Sequence, residues 1–502
     1  MSHDTILTTA HEDGVASSGV PGLDNVLSGG FVRSRLYLIE GVPGSGKTTV
    51  ALQFLMDGAR RGEPVLYVTL SETEEEIQAV AESHGWSLEG ITIREVVASE
   101  RTLSSEDQYT MFHPSEVELS ETTMAILEDV DRIKPRRVAF DSLSEIRLLA
   151  GSPLRYRRQI LALKQFFANQ EATVLLLDDL TSTDRDLQVQ SIAHGVISLE
   201  QANQEYGTDR RRLRIVKYRG HTFRGGSHDY LIRRGGMQVY PRLVAAEHRR
   251  NIARGKISSD IPAFDRLIGG GLERGTSTLI VGAAGTGKST IAAQFACAAA
   301  KSGQRAAMFI FDESPDTLFS RTSSLGIDLK KFVDSNDIVI QAVDPAELSP
   351  GEFMHNIRAA VEERHSAVVV IDSLNGYLNA MPGERFLVIQ LHELLMYLGH
   401  HGVATLLIGA HQGLIGANMV TPVDASYLAD AVILLRYFEA RGEVRQAISV
   451  VKKRGSQHER TIREFRMGSD GLGVGEPLRE FRGILTGTPV FEGHADKQPP
   501  AN

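Results

Sequence analysis

The segment Gly41-Val42-Pro43-Gly44-Ser45-Gly46-Lys47-Thr48 occurs a second time as Gly282-Ala283-Ala284-Gly285-Thr286-Gly287-Lys288-Ser289. Each is a G-x-x-x-x-G-K-[ST] loop, the pattern that wraps backbone N–H groups around nucleotide phosphates. Its glycines take positive φ, so consecutive amides can converge on one anion. The candidate phosphate-binding residues are Gly44, Ser45, Gly46, Lys47, Thr48 and Thr49 in the first copy. In the second they are Gly285, Thr286, Gly287, Lys288, Ser289 and Thr290. Lys47 and Lys288 would reach the β- and γ-phosphates, and the Thr48 and Ser289 hydroxyls would ligate Mg²⁺. The expected ligands are therefore a nucleoside triphosphate and Mg²⁺. Each loop follows an apolar strand and precedes an amphipathic helix, a context that a glycine-rich turn binding nothing would not meet twice.

The loops are 241 residues apart, and the flanking sequence keeps that offset: Gly19–Phe31 (GVPGLDNVLSGGF) aligns with Asp260–Leu272 (DIPAFDRLIGGGL). A period this long means two copies of one domain rather than a solenoid. Strands are expected at Leu36–Ile39 and Thr278–Val281, helices after each loop, then strands at Val65–Leu70 and Ala306–Phe311. Strand, loop, helix and strand in this rhythm build parallel βαβ units in an α/β fold, with a mostly parallel central sheet flanked by helices. Ser99–Thr123, polar and acidic, is expected to be an irregular insert. Later strands are expected at Arg137–Asp141, Val174–Leu177, Gly195–Leu199 and Arg212–Tyr218, and at Val368–Asp372, Thr405–Ile408, Ala431–Leu435 and Gln446–Lys453. Phe223–Tyr230 and Gly236–Leu243 suggest a hairpin. The domain plan is a disordered 1–18, a first domain at 19–243, a charged linker at 244–257, a second domain at 258–491, and a disordered 492–502.

With 502 residues, 42% of them hydrophobic and 23% charged, the chain has the composition of a soluble globular protein. Its net charge of −9 argues against non-specific nucleic-acid binding, which needs phosphate neutralisation. The single cysteine, Cys297, excludes an internal disulfide, and the polar start is not signal-like, which together suggest a cytosolic protein. Cys297 is expected to pack in the helix after the second loop. No apolar run approaches a membrane span.

Phosphoryl chemistry needs a metal-organising carboxylate, a base and a cation besides the phosphate cradle. Asp141 and Asp372 end buried strands, RVAFD and VVVID, where a metal-organising aspartate belongs, although either could simply begin a turn with the following serine. Glu72 and the pair Asp312 and Glu313 follow the second strand. Both glutamates lie 25 residues after the loop lysine, placed to order an attacking water or hydroxyl, or else to serve as helix-start residues. Ser71 and Ser314 are the expected caps. Lys217 and Arg219 in KYRG match Lys452 and Arg454 in KKRG. They are either solvated strand ends or cations that act on a neighbour's γ-phosphate. His400-His401 falls at a helix end, where a cap interaction is expected rather than a metal site.

These motifs, together with Asp424–Phe465 (DASYLADAVILLRYFEARGEVRQAISVVKKRGSQHERTIREF), resemble the KaiC family of double-domain RecA-like ATPases of the bacterial circadian clock. The resemblance covers nearly all of residues 19–491. It implies two tandem RecA-like P-loop domains in a hexameric ring. ATP would lie between neighbouring subunits, with Lys217, Arg219, Lys452 and Arg454 acting across the interface. It further implies slow ATP hydrolysis in the first domain, serine/threonine autokinase activity in the second, and a KaiB-like or other signalling partner. The family's adjacent Ser–Thr phosphoacceptor pair falls on Ser426 and Tyr427, so Ser426 is the candidate acceptor. The family's paired glutamates become Ser71-Glu72 and Asp312-Glu313. The competing readings are a RecA- or DnaB-like DNA-dependent motor, and a nucleotide-gated scaffold whose turnover is incidental.

Overall fold

The structure, a computed structural model, describes residues 14–96, 114–180, 187–203, 207–249, 255–379, 386–410, 427–440, 442–485 and 490–491. The chain divides into two compact units, Met1–Arg242 and Leu243–Asn502.

The first unit is built on a nine-stranded sheet. From one edge its strands are Ile91–Glu95, Val65–Thr69, Arg137–Asp141, Thr173–Asp179, Leu36–Gly41, Gly195–Ala202, Arg210–Tyr218, Ser227–Arg233 and Gly236–Tyr240. The first six run parallel, and the last three are added antiparallel. The second unit repeats this order with Ile338–Ala342, Arg305–Ile310, Ser366–Asp372, Ala404–Ala410, Ser277–Gly282, Ala431–Ala440, Glu443–Lys453, Arg463–Gly468 and Gly471–Pro477.

The parallel strands are buried on both faces, and side-chain alternation sorts their residues between two helical layers. In the strand Leu36–Gly41, Tyr37 and Ile39 join Val50 and Phe54 of the helix Lys47–Arg60. Leu36 and Leu38 turn the other way, to Tyr156 and Ile160 of the helix Pro153–Asn169. In the second unit Ile280 faces Ile291 and Phe295 of the helix Lys288–Lys301. Leu279 and Val281 face Phe353 and Leu394 on the opposite side. Cys297 is in the first of these layers, where burial pushes its thiol up to about 12. This is a packing residue, as its neighbours suggest.

Three local readings are corrected. The insert expected to be irregular contains the first half of a helix, Pro114–Ile133. Its core-packing residues Ile126, Leu127, Val130 and Ile133 lie past the polar stretch, at helical spacing. Order also reaches into the amino-terminal segment expected to be disordered. Val15–Ala16 pairs antiparallel with Phe31–Val32, and Ala16 is fully buried. The first of the charged residues expected to form the linker are folded: Ala245–His248 is a 3₁₀ turn whose Ala245 N–H donates to Glu393 Oε2 at 2.9 Å.

The fully buried Arg137 anchors the start of the strand that ends in Asp141. Its guanidinium lies 2.5 Å from Glu63 and 3.1 Å from Asp57, and it donates to the carbonyls of Ser17 and Phe54. Such a side chain is tolerable in a core only because its charge is matched by two carboxylates.

Candidate functional site

Both phosphate loops join the central strand of their sheet to a helix that begins at the loop lysine. Gly46 and Gly287 are the residues before those helices, left-handed with φ 96 and 95, and neither helix start carries a side-chain cap. Other helix starts vary: Ser152, Ser314 and Ser349 each accept from a first-turn N–H, whereas Leu143–Ala150 and Leu387–His400 also begin without a side-chain cap. The uncapped amides of the two loop helices point where an anion is most favoured. A side chain at Gly46 or Gly287 would be strained at that φ and would have to displace Ile232 or Met467, which a Cβ would meet at 2.4 Å.

Around the first loop, Lys47 donates to the carbonyls of Gly41 at 2.9 Å and Val42 at 3.1 Å, and pairs with Asp179 at 2.6 Å. Thr48 Oγ1 donates to Asp141 Oδ2 at 3.0 Å, and Tyr67 donates to the same oxygen at 2.6 Å. Burial raises the Asp141 carboxyl above the usual range, against the lowering effect of these two bonds. Glu72 is brought to this group, its backbone clamped by Thr69, whose hydroxyl accepts from the Glu72 N–H and donates to its carbonyl. Desolvation raises the Glu72 carboxyl too, followed by the charges of Asp141, Glu76 and Asp179. Thr49 is buried on the loop helix, and the buried Ser45 presents its carbonyl to Tyr230.

The second site repeats the plan with different supports. Ser289 hydrogen-bonds Asp372, whose carboxyl is pushed up to about 6 chiefly by burial. Asp312 accepts from Ser373 at 2.5 Å, and Glu313 is held 2.5 Å from Arg321. Arg321 also donates to Thr290 at 2.8 Å, so it ties the candidate base to the loop helix. Lys288 donates to the Ala283 carbonyl at 2.8 Å, and Thr286 to the same oxygen. The peptide bond after each strand-end acid, Asp141-Ser142 and Asp372-Ser373, is cis.

The sites present orphaned polar atoms suited to a ligand. Ser45 Oγ, Glu72 Oε2 and Asp372 Oδ2 are buried without a hydrogen-bond partner. A buried acceptor left this way is costly unless something supplies its partner. The hydroxyl–carboxylate pairs and the uncapped, glycine-shaped loops together fit a magnesium-bound nucleoside triphosphate.

Lys217 and Arg219 are not part of the group around their own loop. Arg219 N–H donates to His194 O, and His194 N–H to Leu36 O, at the start of the strand whose far end is the loop. Leu36 and Gly41, five steps apart along that strand, are separated by about 16 Å. Lys217 donates to the carbonyls of Gln190 and Ser191, and Arg219 to that of Ser191. In the second unit Lys452 donates to Ala429 O and Arg454 to Tyr427 O, again at the end of the sheet remote from the loop. A β-bulge accompanies both pairs: the register shifts between Val196 and Ile197, and again between Val432 and Ile433. It leaves Val216 and Val451 unopposed and exposed, and turns the following lysine. Ser426 lies outside the described residues.

Sequence reasoning missed Asp179 and Arg321. Asp179 is the last residue of a strand expected to stop at Leu177, since two consecutive acids look like a turn. Arg321 is about two helix turns beyond the cap Ser314 and stands out only once the helix is placed. The first-unit cap is also corrected: Thr73, not Ser71, accepts from Glu76 N–H, and Glu76 accepts from Thr73 N–H in return. Ser314 caps as expected.

Among the described residues one group has metal-ligand spacing, His248, Glu362 and His401, with ligand atoms within 4.8 Å of one another. Arg358 lies 3.2 Å from both Glu362 oxygens and Tyr397 donates to one of them, so that carboxylate is already matched. His400 bonds the Ala245 carbonyl. These histidines fasten the 3₁₀ turn to the end of the helix Leu387–His400.

The family model for the KaiC ATPase matches residues 16–244 and again 257–479. The chain belongs to the KaiC ATPase family. Its two units are tandem RecA-like domains, each match spanning one loop and one strand-end acid. The chain is 28% identical over 478 residues to the circadian clock oscillator protein KaiC of Synechococcus elongatus, covering 94% of this chain and 91% of that one. It is 26% identical over 497 residues to the circadian clock protein KaiC3 of a Synechocystis species, 95% of each chain. A Thermostichus vulcanus KaiC is 27% identical over 478 residues, 94% and 91%. Membership in this ATPase family makes ATP the nucleotide class for the two KaiC-type loops. Among the described residues no helix is long and apolar enough to cross a membrane.

Asp372 gives the second site a pH signature. Its carboxyl is raised from 3.8 to about 6, so the folded state holds this proton where the unfolded chain has lost it. The contribution to stability is complete below about pH 4 and declines as pH rises through about 6. Asp372→Asn, a mimic of the protonated form, is expected to gain on the parent by up to about 3 kcal/mol as pH rises from about 4 to 7.5. Denaturant unfolding without nucleotide or metal measures this difference; one that stays constant with pH contradicts the assignment.

Proposed function

We propose that this protein is a KaiC-like signalling ATPase that hydrolyses Mg-ATP at its first domain and transfers phosphate to its own chain at its second. The observation that carries the reading is the same constellation built twice: an uncapped loop, a hydroxyl–aspartate pair and a glutamate after the neighbouring strand. Mg²⁺ would be held by Thr48 with Asp141 and by Ser289 with Asp372. Lys47 and Lys288 would meet the β- and γ-phosphates, and the bound ATP supplies the transferable phosphoryl group. Glu72 positions the attacking water and accepts its proton. In the second domain Glu313 takes that role toward a serine hydroxyl, with Asp312 alongside.

Six subunits in a ring would complete each site with Lys217 and Arg219, or Lys452 and Arg454, from the neighbour. The placement of both cation pairs at the sheet end remote from their own loop supports action across an interface. Ser426 is the proposed acceptor, and a KaiB-like or other signalling protein the proposed partner of a cytoplasmic ring. The net acidic charge makes nucleic acid a poor partner.

Intact-mass measurement after incubation with Mg-ATP tests the kinase half of the proposal. One added phosphate per chain is expected, absent from Ser426→Ala and from Glu313→Gln. No added mass, or a phosphate that persists in Ser426→Ala, contradicts it.

A further inference from the structure

The two domains treat their loop lysines differently. In the parallel register Gly41 lies opposite Asp179, and in the second sheet Gly282 lies opposite Ala410. The same structural position therefore carries a carboxylate in one copy and a methyl group in the other. Lys47, 6% exposed, is held by that carboxylate at 2.6 Å, besides the carbonyls of Gly41 and Val42. Lys288 bonds the Ala283 carbonyl, and the strand end beside it is occupied by Asn375, which both donates to and accepts from the Ala410 backbone. The acid also acts on the rest of its site, since its charge contributes to raising the Glu72 and Asp141 carboxyls.

We propose that Asp179 is an affinity-setting residue of the first nucleotide site, an internal anion that occupies Lys47 and must yield it to the incoming phosphates. This rests on the reading of both loops as Mg-ATP sites. Lys47 exchanges one anionic partner for another, so part of its attraction for phosphate is cancelled in advance. The displaced carboxylate stays on the strand end facing the loop and opposes polyphosphate charge there. ADP, with less charge to win Lys47 back, is penalised more than ATP. Among the described residues no carboxylate pairs with Lys288, so the second site retains nucleotide more firmly. The tandem arrangement thus carries one exchangeable site and one retentive site, separated by a single side chain at equivalent positions.

The test is a Mg-ATP and Mg-ADP titration of the full-length protein by equilibrium dialysis, with parent and variants at one ionic strength. The parent is expected to show two classes of site. Asp179→Asn, which keeps the shape and removes the charge, should tighten the weaker class about tenfold for ATP and more for ADP. Ala410→Asp should do the reverse and weaken the tighter class by a similar factor. Asp179→Glu should stay close to the parent. Cooperative thermal unfolding of each variant without nucleotide confirms that it is folded. Two sites of equal affinity in the parent, or an Asp179→Asn weak class that is unchanged or weaker, would overturn the proposal. So would an Ala410→Asp variant indistinguishable from the parent. A parent that binds no nucleotide at either site would instead refute the reading on which the proposal rests.

Discussion

Glu72→Gln is expected to slow ATP hydrolysis at the first domain by about 10²–10⁴-fold while leaving nucleotide retention and assembly intact. The size follows from what the side chain does and does not do in the fold. Its Oε2 is buried without a partner, and its backbone is fixed by Thr69 rather than by its own carboxylate. The helix that follows starts on the reciprocal pair of Thr73 and Glu76, so the substitution removes no cap. Desolvation and three neighbouring acids raise its carboxyl, which moves it toward the range where a base works at neutral pH. Steady-state phosphate release by a chain also carrying Glu313→Gln isolates the first site. If turnover survives and stability falls instead, Glu72 is a structural residue.

Arg219→Ala is expected to cost still more, about 10³–10⁵-fold in first-site turnover, because an arginine finger acts only on the transition state. The geometry makes the loss rescuable. Arg219 is at the start of the sheet and the loop at its end, so the two cannot serve the same pocket within one chain. Arg219→Ala subunits keep an intact loop, and Lys47→Ala subunits keep an intact arginine. Mixed and reassembled, they are expected to regain a fraction of parental activity at those interfaces where both are intact. Loss without rescue would mean that Arg219 only buttresses the end of its own strand, through the Ser191 carbonyl it now binds.

Much of this arrangement was legible in the sequence because it was written twice. The glycine loops, the strand-end acids Asp141 and Asp372, and the candidate bases were marked by motif, by apolar runs ending in a carboxylate and by equal spacing. What the sequence concealed was support. Asp179 closes a buried strand but follows another acid, and local propensity assigns such a pair to a turn. Setting VLLLDD beside TLLIGA at the two strand ends would have exposed the asymmetry, since register makes Asp179 and Ala410 equivalent. Arg321 was hidden for a different reason. Its partner Glu313 is eight residues away, across a helix start whose position depends on which hydroxyl caps it. In the first domain two hydroxyls competed for that role, and Thr73 won through its pairing with Glu76. The amino-terminal Val15–Ala16 shows the limit of local reading, because its order comes from pairing with Phe31–Val32 rather than from any period of its own.

The proposed chemistry needs two triphosphate pockets per chain, each completed by a neighbouring subunit. Native mass spectrometry of the full-length protein with and without Mg-ATP tests both halves in one spectrum. The expected species is a closed ring of six chains carrying two nucleotides per chain. A monomer, or a ring whose mass does not change with nucleotide, would contradict it.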